Sequence, residues 1–142
     1  MTSDELLKRG GLFRVKINLT DAFDGSDPAE AEAAKLLTQE NGDSHYIVLR
    51  EISSAEMLEI QGKEQGEMTD CLEKKIPDCI VEHSFKKADG NKTPAGDVLK
   101  ILRLSASLMV HVLTKWQESL PLAKRMRKAS EEQPRISSRG AQ

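Results

Sequence analysis

Aromatic residues are scarce in this sequence: one Trp, one Tyr and three Phe, 4% of 142 positions. A surface that grips single-stranded nucleic acid by stacking bases, or a carbohydrate cleft lined with rings, needs more than that. Cysteine is equally sparse. Two thiols, Cys71 and Cys79, do not make a disulfide framework in a chain of this length, and a reducing, cytoplasmic setting is the expectation. No apolar run approaches the roughly 18 residues that a membrane helix requires. The opening MTSDE is polar and acidic where a signal peptide would be basic and then apolar. The glycine pairs at 10–11 and at 62 and 66 fit neither dinucleotide-binding nor P-loop spacing.

The chain does hold enough apolar residues, 38%, for one modest core, with 31% charged residues around it. Its net charge of −2 is unevenly spread. From residue 121 onward, Lys124, Arg125, Arg127, Lys128, Arg135 and Arg139 stand against Glu131 and Glu132, a net +4, which leaves −6 on residues 1–120. We therefore expect a single domain over 1–120 and a basic, largely disordered tail over 121–142 that holds few apolar residues. The tail could steer an acidic partner or touch phosphates, but it lacks interleaved aromatics, so nucleic acid is not the expected partner.

Patterning along the chain predicts an α+β fold: a small antiparallel sheet of about three strands packed against several helices. Residues 12–19 (LFRVKINL) alternate, with Phe13, Val15, Ile17 and Leu19 on one face, as a half-buried strand does. Residues 45–52 (HYIVLREI) form a second strand and 79–85 a third. A short helix over 4–8 is capped by Thr2 or Ser3 and stopped by Gly10-Gly11. Pro28 suits the first position of an Ala/Glu-rich helix to about Gln39, broken by Asn41-Gly42-Asp43. Ser53 and Glu56 have capping-box spacing. A further short helix is expected around 68–75, ended by Pro77.

The clearest signal is a long helix over 93–120. Thr93 is a natural N-cap, Pro94 fits the first turn, and Asp97 complements the helix dipole. Val98, Ile101, Leu102, Ser105/Ala106, Met109, Val112 and Trp116 recur in steps of three and four, and Leu104, Leu108, Val110 and Leu113 widen that face. A helix so apolar must be covered on more than one side. The cover is either neighbouring helices of the same chain or a partner.

Residues capable of chemistry are present but form no recognised constellation, so no catalytic, cofactor or metal residues are expected. Cys79 and His83, four apart, lack a second Cys/His pair to complete a tetrahedral zinc site. His111, within an apolar helix face, reads as a hydrogen-bonded core or rim histidine. Asp21, Asp24 and Asp27 lie three apart, whereas a calcium loop needs acids at alternate positions and a terminal Glu.

The order of elements is similar to that of a known family. A charged start leads into LFRVKINL. Then an arginine-containing strand runs directly into an acid-bearing helix, IVLREISSAEMLEIQ over 47–61, followed by IPDCIVEHSF over 76–85 and a helix containing Trp116. Across most of residues 10–120 this resembles the tail assembly chaperones of long-tailed bacteriophages and prophages. The resemblance implies a non-enzymatic protein of the bacterial cytoplasm. It would bind the long, hydrophobic, helical tape measure protein, keep it soluble while the tail tube polymerises, and be absent from the finished particle. Many such proteins also exist in a longer, frameshifted form. On this reading an apolar groove lies between helix 53–61 and helix 93–120, with Met57, Ile60, Met109, Leu113 and Trp116 as partner contacts. Methionines such as Met57, Met68 and Met109 adapt to varied apolar surfaces. A homo-oligomer remains open as a further arrangement. So do two other roles: a structural tail or head-tail component, and a small nucleic-acid-binding regulator that relies on the basic tail.

Overall fold

A computed structural model describes residues 1–61 and 63–119. Elements follow in the order α1 (Ser3–Arg9), β1 (Arg14–Asn18), a 3-10 turn (Leu19–Ala22), α2 (Pro28–Leu36), β2 (Tyr46–Arg50), α3 (Ser54–Ile60), α4 (Gln65–Cys79), β3 (Ile80–His83), α5 (Ala95–Leu102) and α6 (Ala106–Ser119). The three strands form one antiparallel sheet in the order β1-β2-β3. The fold is α+β. The basic tail over 121–142, Leu120 at the expected helix end, and Gly62 lie outside the described residues.

Alternation decides which face of the sheet is buried. Ile17 and Leu19 of the first strand and its following turn, and Ile47 and Leu49 of β2, are buried, while Arg14, Lys16 and Asn18 are exposed. Pairing of Ile17 with Ile47 and of Val15 with Leu49 keeps the apolar residues of both strands on one face. A register shift between Val48 and Leu49 bends the β2–β3 pairing, so Leu49 lies opposite Ile80. Against the buried face pack α6, which lies on β1 and the 3-10 turn, and α4, which touches β2, α3 and α5.

Local chemistry sets the helix ends. Thr2, Asp27 and Ser53 each accept a hydrogen bond from the backbone N–H three residues on and thereby cap α1, α2 and α3. Around Ser53 the capping box is complete, since Glu56 in turn accepts from the Ser53 N–H at 2.9 Å. Gly10, Gly42 and Gly90 take positive φ in the turns that end α1, separate α2 from β2, and connect β3 to α5.

Two expectations are corrected. The first concerns α4, which runs from Gln65 to Cys79 and passes through Pro77 instead of ending before it. A proline in a helix interior costs roughly 3 kcal/mol through its missing N–H and ring clash. Here Leu72, Ile76 and Cys79, along one face of α4, are buried, and burial of each large apolar side chain returns about 1.5–3 kcal/mol. Packing outweighs propensity, and Cys79 ends the helix instead of opening the third strand.

The second concerns the helix over 93–120, which is two helices. It begins at Ala95 with Pro94 as N-cap, and Thr93 instead donates its N–H to Phe85 O at 3.2 Å. After Leu102 the chain turns at Arg103 and Leu104. Ser105 then starts α6: its hydroxyl accepts from Leu108 N–H at 3.3 Å and its carbonyl from Met109 N–H at 3.0 Å. A serine that looked like a small position on an apolar stripe is a cap, because its side chain offers the backbone an alternative to continued helix. The turn lets α5 pack on α4 while α6 lies on β1, so Val98, Leu99, Leu102, Leu108, Met109, Val112, Leu113 and Trp116 all join one core. Leu104, at the corner, is left 83% exposed.

Candidate functional site

The five residues expected to contact a partner fall into two groups. Ile60, Met109, Leu113 and Trp116 are buried in the chain's own core, and Met57 alone is half-buried. Among the described residues those four side chains belong to the core cluster and leave little surface for a partner. The tie between α3 and α6 is polar. Trp116, fully buried, donates its Nε1–H to the Arg50 carbonyl at 3.0 Å, and the Arg50 guanidinium grips Glu56 at 2.8 and 3.3 Å. Arg50 also donates to the Glu51 carbonyl at 2.9 Å. The Arg50 bond, above all, together with the Ser53 cap, holds the Glu56 carboxyl down at about 2. This corner joins β2, α3 and α6, and its charges satisfy one another.

What stands outward is a different apolar set. Leu58 on α3 is 70% exposed, next to Met57 in sequence, and Val110 on the outer side of α6 is exposed as well as Leu104. Leu36 on α2 and several residues of the first thirteen are also uncovered. Apolar character alone did not separate these from the core set: Leu104 falls in the turn between α5 and α6, and Val110 is exposed on α6 while Met109, Val112, Leu113 and Trp116 of the same helix are buried.

The open face of the sheet carries a polar recess of about 300 Å³ lined by Lys16, Asn18, Gln39, Asp43, Ser44 and Tyr46. Lys16 Nζ lies over the Tyr46 ring at 4.4 Å, and Tyr46 donates its hydroxyl to Glu82 at 2.6 Å. Lys16, Asn18 and Asp43 are exposed, and Gln39, Ser44 and Tyr46 are half-buried.

Every histidine has a structural partner. His45 stacks on Phe85 with ring centroids 4.3 Å apart, and its Nδ1 meets the Ser84 hydroxyl at 2.8 Å. His83 is buried and accepts the Phe85 N–H at Nδ1, 3.1 Å away. His111 Nε2 lies 3.3 Å from the Asn18 carbonyl. Of the three spaced aspartates, Asp24 accepts from Ser26 in a tight turn and Asp27 caps α2. Among the described residues no three His, Cys, Asp or Glu side chains converge on a possible metal position. Likewise, no helix among them is long and apolar enough to cross a membrane.

The chain matches no family model, no curated protein and no solved structure.

The two thiols differ sharply in environment. Cys79 is fully buried, and burial pushes its thiol up to about 11, whereas Cys71 is half-buried on α4. A thiol-exchange reagent at pH 8 is expected to modify Cys71 in the native protein and to leave Cys79 untouched until denaturant is added. Peptide mapping of the labelled protein reads the result. Rapid native labelling of Cys79 would show that the α4–β3 junction opens.

Proposed function

We propose that this chain is a client-binding protein of the tail assembly chaperone kind, acting by contact and not by catalysis. Its client would be the hydrophobic, helical tape measure protein, held soluble in the bacterial cytoplasm during tail assembly. The observation that carries the reading is the pairing of that element order with apolar side chains left outward on α3 and around the α5–α6 corner: Leu58, Leu104 and Val110. Burial of each against a client helix is worth about 1.5–3 kcal/mol. Half-buried Met57 beside Leu58 adds an adaptable contact. Ile60, Met109, Leu113 and Trp116 lie in the core.

Co-expression with tape measure fragments tests the proposal. The wild-type chain is expected to bring the fragment into the soluble fraction and to co-purify with it. The triple variant Leu58→Asp, Leu104→Asp, Val110→Asp should fold normally, since these side chains lie outside the core, and lose the client. A triple variant that solubilises the fragment as well as wild type would place the client elsewhere. Recovery of the chain in purified particles would favour a structural tail role.

A further inference from the structure

Residues 1–13 contain more uncovered apolar surface than any similar stretch of the described residues. Of the nine large hydrophobic side chains that stand exposed there, five belong to this segment: Met1, Leu6, Leu7, Leu12 and Phe13. Helix α1 buries none of its own residues, and Leu7 is 81% exposed. Seven residues fall well short of the roughly 12–15 that an isolated helix needs to persist in water.

The segment is nevertheless built with care at both ends. Thr2 Oγ1 accepts from Glu5 N–H at 3.2 Å, and Gly10, at φ 78°, closes the helix by donating to the Leu6 carbonyl at 3.3 Å. The exit is fixed to the end of β2. Glu51 accepts from the Leu12 and Phe13 amides at 2.8 and 2.7 Å, and a Cβ on Gly11 would sit 3.2 Å from Glu51 Cγ. A positioned helix that buries none of its own residues leaves its leucines, Leu7 above all, available to something outside it.

Its charges say what. Asp4 and Glu5 occupy the first turn and Lys8 and Arg9 the last, with Leu6 and Leu7 between them. None of the four charged side chains has an ionic partner among the described residues. We propose that α1 pairs antiparallel with α1 of a second copy of this chain. Leu6 and Leu7 pack across the two-fold axis, and the acidic turn of each helix faces the basic turn of the other. An isologous interface needs a self-complementary surface, and an acid–leucine–base order is self-complementary only when the helices run in opposite directions. A parallel pair would set like charges together.

Sedimentation velocity of the full chain over a concentration series tests this. Wild type is expected to dimerise, and Leu6→Asp/Leu7→Asp to remain monomeric with an unchanged circular dichroism spectrum of the core. Asp4→Lys/Glu5→Lys makes the helix wholly basic, and Lys8→Glu/Arg9→Glu makes it wholly acidic. Each alone should raise the dimer Kd at least about tenfold, and an equimolar mixture of the two should recover a heterodimer. A wild-type chain that stays monomeric throughout overturns the proposal. So does a dimer indifferent to the leucine substitutions, or a mixture of the charge variants that stays monomeric. If the leucine variant loses the tape measure fragment while wild type is monomeric, the segment binds the client and not a second copy.

Discussion

Trp116→Ala is expected to be the most damaging single substitution in the chain, lowering stability by about 4 kcal/mol. Trp116 is fully buried where α6 passes the end of β2. Truncation removes its burial and leaves a cavity that rigid neighbours cannot fill, a combination that costs roughly 3–5 kcal/mol for a large aromatic. It also takes the donor from the Arg50 carbonyl. Trp116→Phe separates these effects. It keeps most of the apolar volume and loses the indole N–H, so about 1–2 kcal/mol should go, the cost of an unsatisfied buried acceptor. Urea unfolding followed by circular dichroism measures both. Equal losses for the two variants would mean that the hydrogen bond matters more than the volume.

The second large effect is on acid stability, and it centres on Glu56. Its carboxyl titrates at about 2 in the folded chain against an ordinary 4.5, chiefly because of the Arg50 guanidinium. The folded pKa is the lower one, so the stabilisation is fully present above about 4.5 and is lost as pH falls towards 2. Both partners are largely covered, with side-chain exposures of 16% and 15%, so solvent screening does not erase the interaction. A shift of this size corresponds to about 3 kcal/mol across that window. Glu56→Gln is expected to remove a similar amount at pH 7, because Arg50 is left enclosed without its counter-charge. It should also flatten the stability curve between pH 4.5 and 2. A variant with the wild-type acid profile would show that other carboxylates govern acid unfolding. A shallower loss begins at higher pH, below the ordinary histidine value near 6.5, since burial lowers both His45 and His83 and favours their neutral forms in the folded state. Trp116 and Glu56 act on the same residue, Arg50. The double variant should therefore lose less than the sum of the two single losses.

Much of this architecture was legible residue by residue. The alternation in LFRVKINL sets Phe13, Val15, Ile17 and Leu19 on one face, and the structure buries Ile17 and Leu19, half-buries Val15 and leaves Phe13 exposed. HYIVLREI is legible as a strand, and its pairing with β1 shows that Ile47 and Leu49 are its buried residues. The Ser53/Glu56 capping box, Pro28 at the start of α2, and the turn at Gly42 follow from side-chain reach and backbone sterics within a few residues. Such features are local, so neighbouring sequence is enough to specify them.

The partner surface was not legible in the same way. Period-3.6 spacing identifies residues that share a face, but it does not say whether that face meets the core or the solvent. Met109, Leu113 and Trp116 looked equally suited to a groove and to a core; the turn capped by Ser105 lays α6 on β1 with those three inward, and leaves Leu104 outside at the corner. Pro77 shows the same limit from the other side, where the burial of Ile76 and Cys79 outweighs a strong local signal to stop. By itself the sequence determined the α+β class, the two best strands and the Thr2 and Ser53 caps, which depend on patterning and short-range geometry. Only the tertiary structure decided how the apolar surface divides between core and exterior, because burial is a property of what packs across from a residue, and those neighbours lie far away along the chain.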